Sequence, residues 1–237
     1  MHLAAVDYMA VNGKSFLHKA GPHSKILMTL LLIAGVLIAD SLAKLGLIFI
    51  FTAALVVLSE ADLREILHLI IYPAFFSIVF ALIGMQRSVA AGLAVLLRAI
   101  DAAMAVILLI TTTSYVDIFA VLSIFLPGVI LDIFIFTYRS LFILLEKLED
   151  LLRSIRLRGG YHPLRLALNF RNTAGMIGVL IIHSFDMSDR LYRIYTLRGY
   201  SGRIPLTRKF KTGVCDVVLV VVSVLMLTGV IIKWSIW

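Results

Sequence analysis

The sequence predicts an all-α, polytopic membrane protein of about five spans that also carries a domain of amphipathic helices. Three observations carry that reading. Of the 237 residues 61% are hydrophobic and the mean hydropathy is +1.03, whereas soluble domains lie nearer half apolar. Several apolar runs approach or exceed the length that crosses a bilayer. The net charge of +8 is also unevenly spread: residues 139–211 hold fourteen of the twenty-two Lys/Arg against five of the fourteen Asp/Glu. By the positive-inside rule that basic block belongs in the cytoplasm.

Taken in order, residues 1–25 are a polar lead whose Lys14, Lys19 and Lys25 place the N-terminus inside. The composition of that lead gives no sign of a secretory signal. Residues 26–113 hold four spans. Ile26–Ala39 and Leu45–Leu58 are apolar for only about fourteen residues each, so they thin the bilayer or extend into their polar flanks. Ile66–Met85 contains Pro73, which is expected to kink it. Val89–Thr113 carries Arg98 and Asp101, which at i,i+3 are expected to neutralise each other; alternatively Arg98 contacts a neighbouring subunit across an alanine-rich face.

Residues 114–211 form the basic domain. Val116–Leu126 is amphipathic and stops at Pro127-Gly128. Val129–Leu145 and Ala174–Ser184 are apolar, yet a fifth crossing at either would carry the following arginines outside. Both are therefore read as apolar faces of helices lying under the membrane or against each other. Arg208, Lys209 and Lys211 close the domain. Residues 212–237 supply the last span, Thr212–Ile232, with Asp216 near its inner end and Trp234 and Trp237 at the outer interface.

Chemistry-bearing motifs are mostly excluded. Asn12-Gly13-Lys14-Ser15 ends like a phosphate-binding loop, but Tyr8 stands where the first glycine is needed and no strand precedes it. The six histidines are scattered and Cys215 is the single cysteine, so no metal site, cofactor or disulfide is expected. G-x-S-x-G and H-E-x-x-H are absent, which leaves an enzyme with no residues to name. The basic block lacks the aromatic stacking platforms that nucleic-acid binding would use.

What remains is a repeat. Leu157-Arg158-Gly159 recurs as Leu197-Arg198-Gly199, and the match runs backwards through Leu151/Leu191, Arg153/Arg193, Glu149/Asp189 and Glu146/Asp186. Ahead of the first triplet, Leu141, Leu144, Leu145, Leu148, Leu151, Leu152 and Ile155 follow helical spacing; ahead of the second, Ile181, Phe185, Leu191, Tyr192, Ile194 and Tyr195 do so more loosely. Gly159 and Gly199 stand where a helix turns left-handed and stops. Acid early and arginine late suits the helix dipole, and Glu149/Arg153, Asp186/Arg190 and Asp189/Arg193 are expected as i,i+4 pairs. Adhesion to anionic lipid would require a basic face, but neither a repeat nor a terminal glycine. An arginine displayed at a helix end suits insertion into an acidic groove on a partner, and two ends suit two grooves, as on a dimer. The candidate partner-binding residues are thus Arg158, Gly159, Arg198 and Gly199, with Arg153 and Arg193 behind them.

On these residues the chain resembles the transmembrane (T) component of energy-coupling factor (ECF) transporters, the EcfT/CbiQ family, whose hallmark is two cytoplasmic helices ending in Ala-Arg-Gly-like triplets. Leu stands for Ala in both triplets here. His18-Lys19-Ala20-Gly21-Pro22-His23-Ser24-Lys25 is similar to the family's His-x-x-Asp-Pro-Arg-x-Lys entry to span one, with Gly21 and His23 replacing its Asp and Arg. Thr111-Thr112-Thr113 and the run to Pro127 are similar to the family's approach to its coupling domain. Thr137-Tyr138-Arg139-Ser140-Leu141-Phe142 resembles the cobalt and nickel subgroup. The resemblance implies membrane helices with a cytoplasmic coupling domain in a prokaryotic plasma membrane. It further implies two ABC ATPase subunits docked through Arg158 and Arg198, and a separate substrate-capturing S component in the membrane. A membrane-bound lipid-modifying enzyme and an anionic-lipid scaffold are the competing readings.

Overall fold

Helices occupy nearly all of the described residues, which in this computed structural model are 2–13, 15–124, 126–160, 165–200 and 213–232. Lys14, Arg208, Lys209, Lys211, Thr212, Trp234 and Trp237, invoked above, lie outside them. In chain order the helices are α1 (His2–Asn12), α2 (Phe16–Lys19), α3 (Pro22–Ile38), α4 (Leu42–Leu58), α5 (Leu63–Met85), α6 (Val89–Thr112), α7 (Tyr115–Leu122), α8 (Gly128–Leu157), α9 (Leu166–Leu197) and α10 (Val214–Ile231). Local chemistry sets their starts. Ser41, Asp62 and Ser88 precede α4, α5 and α6, and their side chains accept from Lys44 N–H, Arg64 N–H and Ala91 N–H. Pro22 opens α3 in the first turn, where its missing N–H leaves no gap.

The chain divides into two compact units, Met1–Val121 with Arg208–Trp237, and Leu122–Thr207. In the first, α6 is central and packs against α5, α4, α3 and α1, while α10 lies against α3. Met28, Leu32, Val56, Ile66, Met104, Ala105, Leu108 and Leu219 form one buried cluster, and Val36, Ala39, Leu45, Ile48 and Val230 a second. The crossing of α5 and α6 is close: a Cβ on Gly92 would fall 2.7 Å from the Ala81 carbonyl, nearer than real side chains approach. The outer side of α5 (Phe75, Phe76, Val79, Phe80, Ile83) is exposed, as a lipid-facing surface must be. α5 runs through Pro73 as one helix.

Among the described residues four helices are long and apolar enough to cross a membrane: α5 from Arg64, α6, α8 and α10. α3 and α4 are 17 residues each, about 26 Å of rise. They reach that length by taking in residues on the N-terminal side of the apolar segments read above. α8 meets the length and composition test although the charge argument kept Val129–Leu145 out of the bilayer. That stretch and the amphipathic helix before Arg158 are one helix, and Ala174–Ser184 is likewise part of α9.

Two electrostatic expectations are corrected. Arg98 does not neutralise Asp101; its Nη2 donates to the Ala39 carbonyl at 2.6 Å, one of the orphan acceptors at the end of α3. Asp101 is fully buried with both carboxylate oxygens lacking a hydrogen-bond partner. A buried polar group left unmade costs about 1–3 kcal/mol, more than the few contacts that alanine gives up. Asp101→Ala is therefore expected to raise the melting temperature in detergent, and a lower one would mean that the carboxyl is held by something the chain does not supply. Nor does any of the Glu149/Arg153, Asp186/Arg190 and Asp189/Arg193 pairs close into an ion pair among the described residues. On exposed helix faces such pairs contribute only a few tenths of a kcal/mol, too little to order two long side chains.

Candidate functional site

Both triplets stand at helix ends, and the two ends are built alike. At the end of α8, Arg158 leaves helical geometry at φ −83 and Gly159 enters the left-handed region at φ 67. Gly159 N–H donates to Arg156 O at 3.1 Å and Gly160 N–H to Ile155 O at 2.9 Å. At the end of α9, Arg198 has φ −84 and Gly199 φ 77; Gly199 N–H reaches Thr196 O at 3.0 Å and Tyr200 N–H reaches Tyr195 O at 2.9 Å. This is the Schellman cap, formed twice, and it satisfies carbonyls that a helix end otherwise leaves open.

The cap holds Arg158 and Arg198 at the last turn with their side chains exposed, and Arg153 and Arg193 are exposed behind them. The leucine in each triplet is also displayed: Leu157 is 82% exposed and Leu197 88%. A guanidinium fork beside an apolar knob, both on a rigid stub, is what a partner pocket can hold tightly.

α8 and α9 run antiparallel. Near one end Asn172 Nδ2 donates to Gly160 O; near the other Tyr200 Oη donates to Asp132 Oδ2 at 2.7 Å, and Arg139 Nη1 donates to Tyr195 Oη at 3.1 Å. Phe136 packs its ring 4.6 Å from that of Tyr195 and 5.7 Å from that of Tyr200. Tyr200 thus pins the α9 tip beside the start of α8. From Asp132 to Arg158 the rise along α8 is roughly 40 Å, so the two arginine tips lie at opposite ends of the pair. No local sequence signal gives Asp132, Phe136 or Tyr200 a role, because the contact that joins them is long-range. Beyond this contact the pair has little core, with Leu131, Asp132 and Met176 its buried residues among those described.

In the other unit a second group of singled-out residues converges. α6 ends with its last carbonyls open, and His18 and Lys25 close two of them: Nε2 of His18 lies 3.3 Å from Thr111 O, and Lys25 Nζ donates to Thr112 O at 2.8 Å. A carbonyl only accepts, so Nε2 carries the proton and Nδ1 accepts from Ser15 Oγ at 2.7 Å. Burial first, then the Lys25 ammonium, holds the His18 imidazole below its usual pKa, in keeping with this neutral tautomer. Asp216, at the first turn of α10, accepts from Gly21 N–H (2.5 Å), Ser24 Oγ (2.5 Å) and Gly213 N–H (2.7 Å). The carboxylate absent at position 21 is thereby supplied from 195 positions away. Sequence reasoning had placed Asp216 without giving it a role.

Against known protein families, the CbiQ family model, described as cobalt transport protein, matches residues 13–209. The chain belongs to the CbiQ family. No curated protein matches it. The CbiQ match includes the entry residues from His18 to Lys25, Thr111–Thr113 and both arginine tips. With its apolar helices it makes the chain a multi-pass membrane protein of a cobalt transport family.

Within this CbiQ chain the glycine of each tip is open to direct test. A left-handed backbone costs an L-residue about 1–2 kcal/mol, most for a β-branched one. Gly159→Val and Gly199→Val are expected to fray the last turn, raising amide exchange at Gly160 and Tyr200 roughly tenfold. Unchanged exchange would mean that the cap does not order the tip.

Proposed function

We propose that the chain is the transmembrane coupling subunit of an ECF-type ABC importer. In this reading the unit containing α8 and α9 is cytoplasmic, and each tip docks on one of two ABC ATPase subunits. A separate substrate-capturing membrane protein selects the cargo, cobalt or nickel ion. The observation that carries the reading is the pair of identical caps, each presenting an exposed leucine and arginine, at opposite ends of one antiparallel helix pair. A separation of roughly 40 Å suits two grooves on two subunits better than one. Closure of the ATPase pair would draw the tips together, and the long helices would carry that movement to the membrane and tilt the substrate-binding partner.

The chain has no catalytic role here: ATP is hydrolysed by the partners, and no cofactor or resident metal is involved. Co-expression with ABC ATPases and a small apolar membrane protein encoded beside it, followed by affinity capture of the chain, is expected to recover all of them. Vesicles holding the full assembly should accumulate cobalt or nickel ion when supplied with ATP. A chain that purifies alone and turns over lipid in detergent would instead establish the enzyme reading.

A further inference from the structure

A polar cavity of about 220 Å³ lies against the entry to α3, several times the roughly 30 Å³ share of one water. Its walls include His18, Lys25, Thr113, Ser114 and Asp117, closed on one side by the end of α1 at Ala10 and Val11. Two features call for a ligand. Lys25 is 3% exposed, and of its three N–H donors the described residues engage one, through Thr112 O. Thr113 is also 3% exposed, and its Oγ1 is buried with no hydrogen-bond partner. Thr113 Oγ1 carries a desolvation penalty that no described residue offsets, and that of Lys25 is met only in part, by Thr112 O and the charges of Asp117 and Asp216.

The charges around the cavity select the ligand. A lone cation would meet Lys25, and no group of three metal-ligating side chains occurs among the described residues. A lone anion would meet Asp117, with Asp216 also in the field of Lys25. His18 is held neutral between Ser15 and Thr111. A ligand bearing both signs satisfies all of these. Depth in the membrane gives its source: Lys25 precedes the apolar stretch of α3 and Thr113 follows that of α6, so the cavity sits where hydrocarbon yields to headgroups.

We propose that this cavity binds the headgroup of an ethanolamine phospholipid. Lys25 Nζ donates to the phosphate, joined by Thr113 Oγ1 once that side chain turns about χ1 toward the cavity, and Asp117 accepts from the ammonium. Ser114 Oγ already donates to Asp117 Oδ2 at 2.8 Å, and a carboxylate accommodates about four such bonds. A choline headgroup has no N–H for Asp117, and none of the described lining residues is a Phe, Tyr or Trp of the kind that cages quaternary ammonium. The binding is independent of the ATPase reading.

The test uses the full chain, delipidated in detergent and offered phosphatidylethanolamine, its N-methylated and N,N-dimethylated forms, phosphatidylcholine or phosphatidylglycerol. Retention by native mass spectrometry and the melting temperature are the readouts. One ethanolamine lipid per chain should be retained at least tenfold over choline lipid, falling with each N-methyl group; Asp117→Asn should reduce that preference at least threefold, and Thr113→Val should weaken retention of both lipids alike. Equal retention of ethanolamine and choline lipids, or a preference unchanged by Asp117→Asn, overturns the proposal. Equal stabilisation by free phosphoethanolamine overturns the lipid as source. The methylation series on the unsubstituted chain decides the matter even where a variant fails to fold.

Discussion

Replacing Arg158 and Arg198 together by glutamate is expected to abolish capture of the ABC ATPases and, with it, ATP-driven uptake. Each arginine is exposed at a capped helix end, and a guanidinium seated in a carboxylate-bearing pocket contributes about 2–4 kcal/mol as a hot spot. Reversing its sign adds repulsion, so each single variant should weaken assembly by roughly thirty- to a thousand-fold, and the double variant should leave none detectable. Arg156→Glu is the control. It removes the same charge from the same last turn, but the exposed Arg156 stands two residues before Arg158, about 200° round the helix from it. Adhesion to anionic lipid would weigh Arg156 and Arg158 equally; docking through the tips would spare Arg156. Assembly and uptake that survive in the double variant would end the coupling proposal. Leu157 and Leu197 belong to the same test, since the leucine at each tip is almost wholly exposed and should lose most of that exposure on docking.

Asp216→Ala is expected to be the most destabilising single change in the unit that holds α3 and α10. The carboxylate is 8% exposed and accepts from two backbone N–H groups and one hydroxyl. Hydrogen bonds to a charged acceptor are individually worth about 1.5–3 kcal/mol, part of which is offset by burying the charge, so a net loss of about 2–4 kcal/mol follows. Asp216→Asn should recover little, because an amide brings two donors toward a site that is already rich in them. Position 21 offers a rescue: Gly21 has φ −68, which any residue adopts. A Cβ there would lie 3.2 Å from Asp216 Oδ1, close to where the lost carboxylate stood. Gly21→Asp in the Asp216→Ala background is expected to regain a substantial part of the melting temperature, and failure to regain any would show that geometry rather than charge is what Asp216 supplies.

Much of this architecture is legible in the residues themselves, and the reason is local. Apolar runs mark helices because backbone polar groups must be satisfied internally wherever water is excluded. Ser41, Asp62 and Ser88 mark starts because a short oxygen-bearing side chain reaches an open N–H two or three positions on. The triplets mark ends because glycine tolerates positive φ, which Gly159 and Gly199 both adopt. Pairings are another matter. Arg98 and Asp101 read as partners by spacing, yet the guanidinium bonds a carbonyl 59 positions away. The expected surface ion pairs on α8 and α9 are compatible with helical spacing without being required by it.

From the residues alone come the all-helical class, the family and the two capped arginine tips, since each depends on contacts within a few positions of the chain. The tertiary structure alone assigns Asp216 to the entry of α3, closes the last carbonyls of α6 with His18 and Lys25, and pins Tyr200 to Asp132 so that the tips stand at opposite ends. Those links join positions 68 to 195 apart. A helix end advertises its unmet hydrogen bonds in its own sequence, but which distant group meets them depends on how the helices pack.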